Sequence, residues 1–281
     1  MTITTSAELE ELIDSTVNIP TIPATLLEIN RVFASAEGSA KEAATVIEKD
    51  PAIGAKVLRL VNSSVYALKN PVSSISLACS ILGLKVIRNV VVQATVLEQF
   101  GDVRALAAFD PRQLWEHSFK TAVAARMIAA RARGVGLDKE DAYTAGLMHD
   151  VGKMVLLDNR PDQFGEALAA ATRHAVPLAK AEAEVFGFSH AHVGGLLAQR
   201  WKLSPELQGA IMYHHSPATD PEQWAKGFVI AAANSVAHRA AGAPAPWPGD
   251  VLPPESLAAL GFDDDTWATI ESDVATATME I

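Results

Sequence analysis

Apolar residues recur along this chain at the spacing of helices rather than strands. Leu26, Ile29 and Phe33 lie three or four residues apart, and Val86 and Val90 continue the same period in a longer segment. Alternation of apolar and polar residues never extends beyond a few positions, so the pattern gives no indication of a β-strand. The sequence therefore predicts an all-α protein.

Polar caps and glycines indicate where several of these helices begin and end. Ser39 begins a capping box with Glu42, in which the serine side chain accepts a hydrogen bond from a backbone N–H. Asp50-Pro51 combines an acidic N-cap with proline at the first helical position, where a backbone N–H has no helical partner in any case. Gly83 is expected to separate a short helix from the valine-rich helix that runs to Phe100.

The same signals divide the chain into three segments. Asp138 caps a helix that runs into His149-Asp150, and a turn is expected at Gly152. After residue 240 the composition changes to a proline-rich linker, followed by an acidic segment with room for one more helix. We predict two packed helical subdomains and a C-terminal tail, with boundaries at residues 1–105, 106–240 and 241–281.

Composition and charge narrow the classes of function. Hydrophobic residues make up 49% of the 281 residues and aromatic ones only 6%, a mixture that suits packed helices. The net charge of −10 disfavours broad nucleic-acid binding, because phosphate contacts require a basic face. The single Cys79 allows no internal disulfide and fits a reducing cytoplasm. No signal peptide or membrane span is expected, since the longest apolar run, Val90 to Leu97, is broken by Gln93.

Histidines concentrate in the second half of the chain, on or beside predicted helices. His149-Asp150 is the centre of the pattern, because imidazole nitrogen and carboxylate oxygen both bind Zn, Mn or Fe. A single histidine is more often a core or surface residue, so a metal pocket is predicted only if several converge. His190 and His192 point about 200° apart on a helix, so only one of them can face a shared site. His190, in the first turn after Gly187-Phe-Ser189, is expected at the site and His192 in solvent. The converging set is His117, His149, Asp150, His190, His214 and His215.

Short motifs surround these histidines from about residue 18 to residue 217. They are Ile19-Pro-Thr-Ile-Pro23, Lys49-Asp-Pro51, Val57–Ser63, Ser73–Ser76, Ile81–Leu84, Leu114–Ser118, Gly146–Lys153, Phe186–His190 and Trp201 with His214-His215. As a set they resemble the HDOD family of bacterial signalling proteins, which is similar in fold to the HD-GYP enzymes. The resemblance implies an HD-type helical bundle in the second subdomain, and for most members of the family no catalytic activity is established.

The resemblance also implies roles for individual residues. The converging set would bind one or two divalent ions (Fe, Mn, Zn or Mg), and Asn234 is best placed for the last ligand, an aspartate in catalytic relatives. Asparagine is neutral, so metal affinity and activation of a bound water should both be lower. If the protein is an enzyme, Asp150 and Lys153 are the catalytic residues, although a solvated lysine at a turn is an equal alternative. The Gly-Tyr-Pro loop expected after His215 is absent, which disfavours cyclic di-GMP hydrolysis.

Three functions remain open at this point. The favoured one is a cytoplasmic regulatory protein that acts by binding and has a degenerate metal pocket, without enzymatic activity. The alternative is a metal-dependent phosphohydrolase with a phosphoester or nucleotide substrate. An intermediate is a sensor that binds a phosphorylated metabolite without cleaving it. The expected partners are therefore signalling proteins or a phosphorylated small ligand, with neither broad nucleic-acid binding nor a membrane.

Overall fold

Helices form all the regular structure in the part of the chain that the structure describes. The computed structural model describes residues 6–63, 65–66, 68–101, 103–219, 224–240, 252 and 257–278. These ranges contain no β-strand, which confirms the predicted all-α class. The first helices are α1 (Ser6–Thr16), α2 (Ala24–Ala34), α3 (Ala40–Glu48), α4 (Pro51–Val61) and α5 (Ile75–Phe100). They are followed by α6 (Pro111–Arg131), α7 (Lys139–Met148), α8 (Val151–Asn159), α9 (Pro161–His174), α10 (Leu178–Phe186), α11 (His190–Arg200), α12 (Pro205–Met212), α13 (Trp224–Ala240) and α14 (Asp264–Thr276).

Side-chain caps begin many of these helices. Ser39 accepts a hydrogen bond from the backbone N–H of Glu42 at the start of α3, and Asp50 accepts one from Ile53 at the start of α4. Capping bonds of the same kind begin α5, α6, α7, α12 and α14. They satisfy N–H groups that have no carbonyl partner in the first turn, so the helix starts follow from local sequence.

Helix α5 is interrupted at Gly83, as the sequence predicted. The φ of 78° and ψ of 166° at Gly83 are non-helical, in a region that glycine adopts readily. Helices α2, α3 and α4 pack against α5, and every residue from Ile87 to Leu97 is buried. By length and composition α5 could cross a membrane, contrary to the sequence expectation, but half of its most apolar 18-residue stretch is buried inside the protein.

The chain divides into two units, which are described separately. Unit A comprises Thr21–Asp102 and contains α2 to α5. Unit B comprises Met1–Pro20 together with Val103–Thr278, so α1 belongs to the same unit as the histidines. The Trp201 indole N–H donates a hydrogen bond of 3.0 Å to the carbonyl of Pro20, which ties the end of this N-terminal segment to α11.

Two glycines allow the helices of unit B to approach closely. A Cβ on Gly146 of α7 would lie 2.7 Å from Cα of Ala122 in α6. A Cβ on Gly152 would lie 2.0 Å from the carbonyl oxygen of His190 in α11. The turn predicted at Gly152 is wrong: Gly152 lies inside α8, and glycine is required there by the contact with α11.

The C-terminal tail returns to helix α13. The predicted proline-rich linker falls mainly on residues 241–251, which lie outside the described residues. Beyond it the backbone N–H of Leu252 donates to Oγ of Ser235 at 2.8 Å, and Arg239 donates to Glu271 at 3.1 Å. The acidic segment forms α14, which packs against α13 and α6, so the extra helix expected there is present.

Candidate metal centre

Asp150 lies in a short break between two helices. Helix α7 ends at Met148 and α8 begins at Val151, so His149 and Asp150 are the two residues of the corner. Both are removed from solvent, with exposed fractions of 0% and 1%. A buried carboxylate requires compensating charge or hydrogen bonds, and the residues around Asp150 supply both.

Other helices bring four more histidines to this corner. His117 comes from the interior of α6, His190 is the first residue of α11, and His214 and His215 follow the end of α12. Nε2 of His117 and Nε2 of His214 each lie 3.9 Å from an oxygen of Asp150. Nε2 of His215 lies 2.9 Å from Nε2 of His190. The six histidine and aspartate residues predicted from the sequence are therefore brought together.

The Asp150 carboxylate is the centre of the cluster. Its Oδ2 accepts a hydrogen bond of 2.6 Å from Nζ of Lys153 and lies 3.3 Å from Nε2 of His149. Its Oδ1 lies 3.0 Å from Nε2 of His190. Lys153 is only 3% exposed, so the alternative of a solvated lysine at a turn is wrong. Its ammonium group is a buried counter-charge for Asp150.

Backbone carbonyls fix the orientation of two of the imidazoles. Nδ1 of His149 lies 2.7 Å from the carbonyl of Gly146, and Nδ1 of His214 lies 2.6 Å from that of Ile211. A carbonyl oxygen only accepts, so each Nδ1 carries the proton and each Nε2 presents a lone pair. Both Nε2 atoms are buried without a hydrogen-bond partner among the described residues. This is the arrangement in which proteins orient histidine ligands, so these residues fit a metal ion.

A buried glutamate that the sequence analysis missed orients His190. The Glu182 carboxylate accepts hydrogen bonds from Nδ1 of His190 at 2.6 Å and from its backbone N–H at 2.8 Å. Glu182 is fully buried on α10, whereas Glu184, two residues later on the same helix, is exposed. Glu182 lies four residues after the buried Leu178 and so faces the same side of α10, whereas Glu184 faces another side. The sequence spacing therefore indicates which glutamate is buried, although it does not identify His190 as the partner.

Charges around the cluster determine which protonation states are stable. Burial lowers the pKa of His117, His214 and His215 well below the usual value, and neighbouring histidines lower it further. Burial also opposes the charged form of His190, but Glu182 and Asp150 outweigh it and raise the pKa. At neutral pH, three of the imidazoles are therefore neutral, as metal ligands must be.

The Asp150 carboxyl remains ionised in this environment. Burial alone would raise its pKa, but the Lys153 ammonium and the hydrogen bond with His190 stabilise the carboxylate and hold the pKa well below its usual range. The cluster thus contains an anionic oxygen ligand at its centre throughout the physiological pH range.

The donor atoms form two groups that share Asp150. One consists of Asp150, His190, His214 and His215, and the other of His117, His149 and Asp150. Within each group the donor atoms lie within 4.8 Å of one another. Two imidazoles bound to one ion at about 2.1 Å have donor atoms roughly 3 to 3.5 Å apart, so modest closure would form either site. One carboxylate between two histidine groups suits one or two divalent ions.

Helix α13 adds a histidine that the sequence analysis missed. The His238 ring centroid lies 4.4 Å from that of His117. Asn234, one turn earlier, is 4% exposed, and its Oδ1 has no hydrogen-bond partner among the residues described. Helix α13 packs against α6, α7 and α12, the helices that carry or precede the clustered histidines. The role of Asn234 as a ligand stays a prediction.

His192 has a structural role outside the cluster. Its Nδ1 accepts a hydrogen bond of 3.1 Å from the backbone N–H of Ser189 and lies 3.0 Å from the Ser189 hydroxyl. The side chain is half-buried at the start of α11, so the prediction that it faces solvent is wrong. His192 replaces the glutamate of a capping box.

Comparisons with known proteins agree with this architecture. A family model described as HDOD domain matches residues 19–217. An HDOD domain protein structure from Geobacter sulfurreducens is 27% identical, with a TM-score of 0.73 over 95% of this chain and 87% of that one. A Marinobacter aquaeolei structure named for signal transduction has a TM-score of 0.76 at 20% identity, covering 98% of this chain and 64% of that one. It shows similarity of fold alone.

A relative among curated proteins is longer than this chain. A protein of Treponema pallidum (strain Nichols) is 28% identical over 209 residues, which is 74% of this chain but 39% of that protein. The fold and the cluster define an all-helical protein with a histidine–aspartate pocket. The chain belongs to the HDOD domain family, whose model covers well over half of its length.

Proposed function

We propose that this chain is a regulatory signalling protein that acts by binding a protein or a phosphorylated ligand. In this proposal the histidine pocket holds a divalent metal ion but does not support efficient phosphoester hydrolysis. The observation that carries the proposal is the 2.6 Å contact between Nζ of Lys153 and Oδ2 of Asp150, with both residues buried. A lysine in this position competes with metal for the only carboxylate in either donor group.

The charge of the pocket favours weak metal binding. Asp150 is the shared anionic donor, and the Lys153 ammonium cancels its charge. Asn234, on the helix where the family resemblance predicts an aspartate, adds none. Like charges repel strongly in a buried site, so a divalent ion beside Lys153 is less stable than one beside Asp150 alone. Hydrolysis requires a firmly held ion with an activated water, whereas reversible occupation is sufficient for a regulatory site.

A phosphorylated ligand is the small molecule that suits this pocket best. A bound divalent ion would attract phosphate oxygens, and the Lys153 ammonium would form charge-assisted hydrogen bonds with them if it left Asp150. The neutral imidazoles of His214 and His215 would not repel the ion that such a ligand requires. Phosphate binding would therefore be coupled to metal occupation of the site.

A metal-dependent phosphohydrolase is the second candidate. The buried Nε2 atoms of His149 and His214 favour it, because they have no hydrogen-bond partner within the described ranges of the chain and so leave two strong ligands available to an ion. A bound ion would polarise a phosphate oxygen and lower the pKa of a coordinated water. Glu182 would keep His190 in position, and Asp150 would fix the ion between the histidine groups.

Metal-dependent stabilisation and turnover distinguish the two candidates. The experiment compares the wild type with His149→Ala and Asn234→Asp in the presence of Mn²⁺. Thermal melting is measured first, followed by the rate of hydrolysis of bis(p-nitrophenyl) phosphate. We expect Mn²⁺ to raise the Tm of the wild type by more than that of His149→Ala, because the variant keeps only the donor group around His190 and an ion stabilises only the folded state that binds it. We expect no Mn²⁺-dependent turnover by the wild type above that of His149→Ala. Turnover that His149→Ala abolishes would replace the regulatory proposal with the enzymatic one.

A further inference from the structure

His238 contacts the outer histidine of the cluster. Its ring centroid lies 4.4 Å from that of His117, with the ring planes inclined at 39°. His117 is the one member of the cluster that α6 supplies, and His238 reaches it from α13. The two residues are 121 positions apart in the chain, so their meeting is a product of the tertiary fold.

The spacing of the two rings is close to that of histidines that share an ion. With a metal–nitrogen distance of about 2.1 Å, two imidazoles separated by angles of about 90° to 110° place their centroids roughly 4.5 to 5.3 Å apart. The pairs His117–His149, His149–His214 and His190–His215 are separated by 5.4, 5.0 and 4.8 Å. The His117–His238 pair, at 4.4 Å, lies just below this range and corresponds to an angle of about 85° at a shared ion, near the 90° of octahedral sites.

The two donor groups are unequal without His238. The group around His190 contains four donors, whereas the group of His117, His149 and Asp150 contains three. Ions such as Mn²⁺ or Fe²⁺ prefer higher coordination than three, so the smaller group needs further ligands. Asn234 offers only a neutral amide, whereas an imidazole is a strong ligand for the same metals.

Helix α13 is fixed where it carries His238. Ser235 accepts a hydrogen bond from Leu252, and Arg239, next to His238, donates to Glu271. The helix also packs against α6, which carries His117. The helix backbone is therefore held in place, so little backbone entropy is lost when an ion binds. The His238 side chain itself would turn toward the ion, since its donor atoms lie outside the 4.8 Å group of His117, His149 and Asp150.

We propose that His238 is a fourth ligand of the ion held by His117, His149 and Asp150. This inference rests on the proposed metal-binding function of the pocket. It assigns to α13 a role that does not require Asn234, because His238, one turn further along the same helix, completes the site. The second donor group, around His190, does not depend on His238.

Cobalt binding to the full chain tests this assignment. The titration with Co²⁺ compares the metal-free wild type with His238→Ala and His238→Asp. It records the visible absorption of the bound ion and the affinity of each site. We expect His238→Ala to weaken one Co²⁺ site about 10- to 100-fold and to change its absorption spectrum. His238→Asp should recover most of the affinity, because a carboxylate can replace the imidazole.

Two controls separate the failure of this inference from the failure of the proposed function. His174→Ala removes an exposed histidine at the end of α9 and should leave binding unchanged. Far-UV circular dichroism of each metal-free variant establishes that it is folded. If the wild type binds Co²⁺ and His238→Ala matches His174→Ala in affinity and spectrum, the assignment of His238 is wrong but the metal pocket stands. If the wild type binds no Co²⁺, the pocket and the assignment both fail.

Discussion

The two units of this protein use buried polar residues in different ways. In unit A, Arg88 is 7% exposed, donates to Asn30 at 3.0 Å and lies over the Phe33 ring at 4.7 Å. Its polar atoms serve the packing of α5 against α2. Buried atoms without a hydrogen-bond partner in the described part of the chain occur in both units, at Oγ1 of Thr95 in unit A and at Nε2 of His149 and His214 in unit B. The two histidine nitrogens differ from Thr95 because both face the Asp150 carboxylate, at 3.3 and 3.9 Å.

This difference distinguishes structural polar residues from ligand sites. A buried polar group that lacks a hydrogen bond costs free energy, so folded proteins retain few of them without a compensating function. Arg88 forms its contacts within the fold, whereas the lone pairs of the two histidines are directed toward a common carboxylate. The comparison therefore predicts that changes in unit B alter metal binding and changes in unit A alter only stability.

The largest effect is expected from Gly152→Ala. The new Cβ would lie 2.0 Å from the His190 carbonyl oxygen and 3.0 Å from the backbone nitrogen of Gly194, so α8 and α11 would have to separate. We expect the free energy of unfolding to fall by about 4 kcal/mol or more in urea denaturation. Gly165→Ala is the control, because its Cβ would meet only a Leu106 side-chain atom at 3.9 Å. Equal stability of the two variants would contradict the close approach of the helices.

Lys153→Met should change stability and metal affinity in opposite directions. Removal of the ammonium leaves Asp150 buried without its nearest counter-charge, so the metal-free protein should lose about 3 kcal/mol of stability. The freed carboxylate should bind Mn²⁺ about tenfold more tightly, measured by calorimetry. Lys49→Met, which removes an exposed ion pair with Glu28, should change neither quantity appreciably. Weaker Mn²⁺ binding by Lys153→Met would show that the lysine supports the ion.

The stability of the metal-free protein should fall as the pH is lowered from 7.5 to 5.5. His117, His214 and His215 have a lowered pKa when folded, so below about pH 6.5 the unfolded chain binds protons that the folded chain does not. Each can contribute up to about 1.4 kcal/mol, and the raised pKa of His190 offsets part of this. We expect a net loss of about 2 kcal/mol in urea denaturation with a chelator. Stability that rises over this interval would contradict the buried neutral imidazoles.

The smallest effect is expected from Arg88→Met in unit A. It removes the hydrogen bond to Asn30 and the contact with Phe33 but keeps the apolar stem, so the free energy of unfolding should fall by about 1 to 3 kcal/mol. Mn²⁺ affinity should be unchanged, since Arg88 belongs to the other unit. A large change in affinity would break the separation between the two kinds of polar residue.

Much of the fold could be predicted because its determinants are local. Helix starts follow from caps such as Ser39 and Asp50, whose bonds join residues three positions apart. Gly83 breaks α5 where the sequence indicated. Gly152 was misinterpreted because glycine also serves close helix contacts, and a contact with His190 is not visible in the neighbouring sequence.

The candidate site could be predicted only in part for the same reason. The clustered histidines were recognisable from their number, from the His149-Asp150 pair and from the family motifs around them. Glu182 and His238 were missed because each contacts a partner on another helix. Glu182 is 8 positions from His190 in the sequence, and His238 is 121 positions from His117. Spacing along one helix does not reveal such partners, which depend on how the helices pack.

Metal content tests the central claim most directly. Wild type and His149→Ala would be purified without a metal-affinity tag and measured by elemental analysis, with His174→Ala as the exposed-histidine control. We predict at least partial occupancy by a divalent metal in the wild type and in His174→Ala, rising to one or two ions per chain after incubation with Mn²⁺. His149→Ala should contain less metal than either, because it keeps only the donor group around His190. A wild type that remains metal-free after incubation with Mn²⁺, Fe²⁺ or Zn²⁺ would contradict the claim that the histidine–aspartate cluster is a metal site.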